Sequence, residues 1–310
     1  MLAVTAVLMA AALGNLGCGS EGAEGADGGT RQITHAMGTT AVPAAPARVV
    51  VLDTGELEAA TAVGIVPIGG VTALPGQPIL AHLRERAASM EIVGTIEEPN
   101  LEAIAALEPD LILSSKIRHE KLYDRLSAIA PTVFAEQVGV TWKDNFLLYA
   151  DALGRRGEAE AQLRAYEDRA DQLGARIAEL RGTRPTISVL RFLPGENRIY
   201  LSETFIGTVL ADLGLPRPPA QRKKDFALYP SQEQIGLMDG GVIFYATYGP
   251  AGDTTEGAVT GSALWSRLAA VRSGDVHRVD DDHWFLGIGV QSANLVLDDI
   301  ERLVIGDAAS

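Results

Sequence analysis

The feature that most constrains this chain lies at its middle. GRRGEAEAQLRAYEDRADQLGARIAELRG runs from Gly154 to Gly182. Within it Leu163, Tyr166, Ala170, Leu173, Ile177 and Leu180 recur at intervals of three and four residues. That period puts an apolar seam on one face of one long helix. About 26 residues at a rise of about 1.5 Å each give roughly 39 Å, enough to cross two small lobes. A coiled-coil dimer is the competing reading, but the seam is shorter than four heptads and sits mid-chain, which favours a strut packed on its own lobes.

The flanks support a strut. From Arg48, the short apolar runs RVVVL, VPIGG, LILSS and PTVFA alternate with GELEAATAVG, PILAHLRERA, LEAIAALE and EKLYDRLSAIA. The first set reads as strands and the second as helices, hence parallel βαβ units. After residue 184 the pattern restarts with TISVL, FIGTVLADLG, SQEQIGLMD, GVIFYAT and a last helix SANLVLDDIERLV. The expected fold is α/β, with two Rossmann-like lobes joined by a single long rigid helix. An internal echo agrees. NLEAIAALEPDLIL from Asn100 and SQEQIGLMDGGVIF from Ser231 align at a shift of 131, with Glu102 falling on Glu233 and Ile104 on Ile235. Asn100 and Ser231 suit N-caps. In a first turn a glutamate also complements the helix dipole, which explains both without function.

Residues 1–17 carry no charge and are too short to span a bilayer, matching the apolar part of an export signal. No Lys or Arg precedes Arg31, so translation is expected to begin upstream of Met1. Cys18 is the only cysteine and reads as a lipidation site; residues 18–32, rich in glycine and mildly acidic, read as a flexible tether. The expected organisation is therefore a signal peptide over 1–17, a tether over 18–32, lobes over 33–154 and 183–310, and the joining helix over 155–182. A net charge of −14 argues against nucleic acid as a partner.

Five segments carry a resemblance to a known family: ARVVVLDTGELEAATAVGIVPIGG, NLEAIAALEPDLILSS, RFLPGENRIYLSETFIGTVLADLGLPRP, ALWSRLAAVRSGDVHRVDDDHWFLGIGVQSANLVLDDI and the strut. Together the chain resembles the extracytoplasmic substrate-binding proteins of ABC importers for ferric siderophores, haem and cobalamin, nearest to the iron-siderophore branch. The resemblance implies a lipid-anchored monomer on the outer face of the cytoplasmic membrane, or in the periplasm, that captures a ferric siderophore in a ligand cleft between the lobes and delivers it to a permease dimer with its ATPase. It also implies that Glu102 and Glu233 dock onto the permease. No cofactor is expected, since the chelator's own oxygens fill the iron sphere.

A cleft for such a ligand wants arginines or lysines for chelate oxygens and aromatics for organic faces. Arg191 follows the strand TISVL at a carboxyl end, where α/β folds place ligands. Arg198 lies across the turn FLPGEN beside Tyr200. The resemblance favours Arg191, with Tyr200 second, and places Trp284 in the cleft; a lid over the last helix is the other reading for Trp284. Tyr245 and Tyr248 follow GVIFYAT, and Lys116 and Arg118 follow LILSS. Trp265 reads as core, DDDH at Asp280–His283 as a solvated turn, and QRKKD around Arg222, Lys223 and Lys224 as a surface loop or a rim for an anionic ligand. The five histidines form no i, i+4 pair, which argues against a receptor for bare zinc or manganese. No GxSxG, Walker A or GxGxxG signature appears, so catalysis is not expected. Haem or cobalamin is the alternative ligand, with a tyrosine as axial group for haem; a sensor or adhesin on the same fold is a third class.

Overall fold

The computed structural model describes residues 29–306, apart from Pro75. The expected signal peptide and Cys18 lie outside these residues. Strands β1 (Thr30–His35) and β2 (Gly38–Pro43) form an antiparallel hairpin that the sequence reading missed. The hairpin thus begins inside the expected tether. The Ala36 amide donates to the Phe134 carbonyl, which fastens the hairpin to the first lobe.

That lobe is built on β3 (Val49–Val51), β4 (Gly69–Thr72), β5 (Glu91–Thr95), β6 (Leu111–Ser115) and β7 (Thr132–Ala135), in the order β5-β4-β3-β6-β7 and all parallel. Every residue of β3, β6 and β7 is buried. Continuous apolar runs are what a parallel sheet covered on both faces demands. The second lobe carries β8 (Ile187–Leu193), β9 (Glu196–Tyr200), β10 (Ala227–Leu228), β11 (Val242–Thr247) and β12 (Val276–Arg278), in the order β10-β9-β8-β11-β12. Here β8, β11 and β12 are parallel, while β9 runs antiparallel to both of its neighbours, β8 and β10. The sheet is therefore mixed, because FLPGEN is the turn of a β8–β9 hairpin.

The strut spans Arg156–Arg181 and ends on Gly182 in the left-handed region at φ 67. Six seam positions were expected, but Leu180 is 48% exposed and the buried face ends at Ile177. The remaining seam is covered by the chain itself. Trp142 packs edge-on against Tyr166 at 5.3 Å, and the Tyr166 hydroxyl donates to Asp212 Oδ2 at 2.9 Å. Gln162 Nε2 donates to the Ala62 carbonyl in the first lobe, and Arg169 reaches the Asn294 carbonyl in the second. The apolar seam is therefore taken up by the chain itself and is not left for a coiled-coil partner.

PILAHLRERA is not a helix. Residues 81–89 are consecutive turns whose bonds mostly skip three residues, such as Leu83 N to Leu80 O and Met90 N to Ala87 O. Leu80, Leu83 and Ala87 still bury a helix-like face, so the burial was legible and the backbone was not.

The lobes also touch directly. Glu58, on the helix Thr54–Ala62, is fully buried, and its Oε2 accepts from the Ser292 amide at 3.0 Å in the first turn of the helix Val290–Ile300. A carboxylate from one lobe thus satisfies an orphan N–H of a helix in the other.

Candidate functional site

In the first sheet the strand order reverses between β3 and β6, and ligands of α/β folds lie beyond the carboxyl ends of such strands. Asp53 stands just after β3, and Arg118 just after β6 in the short helix Lys116–His119. Arg118 Nε donates to Asp53 Oδ2 at 2.9 Å. Burial works against the Arg118 charge, but Asp53 outweighs it and raises the guanidinium's pKa. Arg118 keeps 37% of its side chain exposed.

Beneath this pair lies a buried polar chain. The Tyr149 hydroxyl is 2.7 Å from Glu56 Oε1 and 2.9 Å from the Ser114 carbonyl. A phenol has one proton, so both contacts are satisfied when a protonated Glu56 donates to the tyrosine and the tyrosine donates to Ser114. Burial first, then the nearby Asp53 charge, push the Glu56 carboxyl up to about 8. His119 sits between Ser114 Oγ and the Ile96 carbonyl, each at 2.6 Å, and burial lowers its pKa, so the neutral ring is favoured. Its Nε2–H donates to Ile96 while Nδ1 accepts from Ser114. These uncharged groups form the floor under Asp53 and Arg118.

The opposing wall comes from the second lobe. Arg191 lies inside β8 rather than after it, and faces Arg198 of β9 as a direct cross-strand pair. Directly opposed like charges repel, and each arginine has its own carboxylate. Arg198 Nε donates to Glu196 at 2.5 Å. Arg191 presents a fork to Asp281, with Nε to Oδ1 at 2.6 Å and Nη2 to Oδ2 at 2.5 Å. Tyr248 and Phe285 lie over the same guanidinium at 4.3 and 5.2 Å. Burial disfavours its charge, yet Asp281 reverses the sign and the Arg191 pKa is raised.

Between the walls lies a cleft of about 620 Å³ that Arg118, Arg191, Arg198 and Tyr200 all line. Ile117 on one lip and Phe226 on the other are 60% and 44% exposed. A second opening of about 370 Å³ is lined by Tyr248 and Asp281. The Arg191 stack therefore stands between the two openings.

Several expected residues take other places. Trp284 borders the cleft but is 0% exposed; it packs on Phe244 at 4.7 Å and donates its indole N–H to Asp299 at 2.9 Å, so it is a wall support in this conformation. Tyr245 is not among the residues lining either opening, and stacks edge-on with Phe192 and Trp265. Lys116 lies in a neighbouring groove, with Nζ donating to Glu136 at 2.9 Å. The DDDH stretch is not a solvated turn, because the half-buried Asp281 is paired with Arg191 and His283 bonds Asp299 at 2.8 Å. Trp265 is core, as expected. Glu102 and Glu233 are both exposed in first turns. Asp53, Asp281, Phe226 and Phe285 were missed; only Asp53 carried a signal, as a polar cap directly after a buried strand.

The profile of the periplasmic binding protein family matches residues 49–283. The chain belongs to that family. Family members are substrate-binding proteins, and the two lobes, the joining helix and the cleft between them are the arrangement described above. The chain is 42% identical over 285 residues to the "Probable siderophore-binding lipoprotein YfiY" of Bacillus subtilis (strain 168), covering 88% of this chain and 87% of the relative. It is 31% identical over 264 residues to the "Achromobactin-binding periplasmic protein" of Dickeya dadantii (strain 3937), covering 83% and 86%. The crystal structure of Staphylococcus aureus SirA complexed with staphyloferrin B superimposes with a TM-score of 0.82 at 33% identity, over 89% of this chain and 99% of SirA.

Proposed function

We propose that this protein captures a ferric siderophore in the interlobe cleft and delivers it to the permease of an ABC importer. The observation that carries the reading is the convergence of Arg118, Arg191 and Arg198 from both lobes on one cleft with apolar lips. Guanidinium forks suit the outer oxygens of an iron chelate, and Ile117, Phe226 and Tyr200 suit its organic surface. Among the described residues no group of three or more His, Cys, Asp or Glu is arranged to hold a metal ion, which is consistent with iron arriving in a chelator's own oxygen shell. The two relatives and SirA are named for siderophore binding, which supports the same reading.

In this reading Arg118 and Arg198 offer exposed donors, Arg191 offers its remaining Nη1 edge, and Tyr200, Tyr248 and Trp284 shape the wall. Lys116 and Tyr245 lie at its margin. Glu102 and Glu233, one exposed on each lobe, dock onto the permease. Lipidation at Cys18 holds the protein at the outer face of the membrane; among the described residues no helix is long and apolar enough to cross it.

Calorimetric titration with a panel of ferric siderophores, their iron-free forms, haem and cobalamin tests the reading. One ferric chelate should bind saturably, weakening about tenfold or more in Arg118→Ala if a charge-assisted contact is lost. Binding of haem alone would promote the haem receptor, and binding of none by folded protein would overturn the reading.

A further inference from the structure

The second-lobe wall carries a carboxylate where an anion receptor would be expected to show only cations. Asp281 takes both Nε and Nη2 of Arg191, and the side chains of the pair are 8% and 15% exposed. Arg191 Nη1 lies 3.4 Å from the Tyr200 hydroxyl, and the rings of Tyr248 and Phe285 lie over the guanidinium. So the edge not bound by Asp281 is what a ligand can reach. The other two cleft arginines have looser partners. Arg118 is held to Asp53 through Nε, and Arg198 to Glu196 through Nε, each with over a quarter of its side chain exposed.

A buried, bidentate pair presents nearly no net charge, and an anion that pulled Arg191 away would leave Asp281 buried without a counter-ion. Arg118 and Arg198 are also paired, but through Nε alone and with more of the side chain exposed, so steering is left to their outer Nη edges. We propose that Asp281 is a specificity-determining residue that sets the charge of the accepted chelate: it neutralises Arg191, so that the cleft selects against highly anionic iron complexes. The Arg191 fork then contributes shape and hydrogen-bond direction, with its net charge cancelled. This rests on the siderophore reading above.

Three probes of rising negative charge separate the possibilities: a neutral ferric tris-hydroxamate, the dianionic diferric dicitrate and a trianionic ferric tris-catecholate. The ratio of their dissociation constants is measured for the wild type, Asp281→Asn and the double variant Arg191→Gln/Asp281→Asn, each first shown to melt cooperatively. Asp281→Asn should shift the ratio towards the more anionic probe by about tenfold or more, because one full positive charge is unmasked. The double variant, neutral again, should return to the wild-type order. If Asp281→Asn weakens all three equally, Asp281 only holds Arg191 in place and the proposal is wrong. Should Asp281→Asn fail to fold, the double variant decides: an order that collapses with the Arg191 charge removed overturns the proposal. Failure of wild type to bind any probe would instead count against the siderophore reading.

Discussion

Glu56 has no exposed surface to speak of and faces Tyr149, Ser114 and the underside of the Asp53–Arg118 pair. Its folded-state pKa of about 8 lies above the ordinary glutamate value of 4.5. In the window between those values the folded chain holds a proton that the unfolded chain has lost. The stabilisation is thus fully present below the unfolded value and is lost as pH rises through about 8, with a slope of about 1.4 kcal/mol per pH unit. Glu56→Gln removes the titration while keeping the shape. The stability gap between wild type and Glu56→Gln should move in the variant's favour from pH 5.5 to 8.5. Parallel pH profiles from denaturant unfolding would show that Glu56 is ionised in the folded state. His119 contributes with the opposite sign, since its lowered pKa makes acid, not base, unfavourable to the fold.

At the scale of elements, packing overrides intrinsic propensity. Gly174 lies inside the strut, where alanine would ordinarily be favoured by about 1 kcal/mol. A Cβ at Gly174, however, would stand 2.0 Å from the Leu213 carbonyl oxygen, which is backbone and cannot swing aside. The clash outweighs the propensity gain, so Gly174→Ala should destabilise by about 2 kcal/mol or more, as overpacking does. A melting temperature equal to or above wild type would mean that the strut and the segment at Leu213 can slide apart. The same scale explains the sequence reading's successes and failures. The strut and the all-buried strands of the first sheet were legible because their burial follows a local period. The β8–β9 hairpin and the turns over 81–89 were not, because hydrogen-bond pairing there depends on what lies opposite in space.

At the scale of the whole molecule, the strut is one of several ties between the lobes: Glu58 caps the helix Val290–Ile300, Thr54 Oγ1 donates to the Leu286 carbonyl at 2.6 Å, and the Ala81 amide donates to Asp282 at 2.9 Å. The last of these sits beside Asp281, so the cleft wall and the interlobe contact share one turn. Glu102 and Glu233 stand on opposite lobes, far from Arg191 in sequence and absent from the residues lining the cleft. Replacing both with alanine should leave chelate affinity within about twofold while stopping uptake by cells that carry the permease, as expected of exposed residues that set docking register. Normal transport by that double variant would remove them from docking.

The residue string alone determined the α/β class, the single long helix and the two lobes, because each is written in local periodicity. Arg191, Arg198, Arg118 and Tyr200 were singled out from their places near strand ends and from the family resemblance, and the structure brings all four to one cleft. Only the tertiary structure decided what those side chains can do. It placed Asp281 against Arg191 across 90 residues, turned Trp284 into the wall and took Tyr245 out of the cleft. The physical reason is that a charge's effect depends on its counter-charge and burial, and both are set by which distant segments the fold brings together.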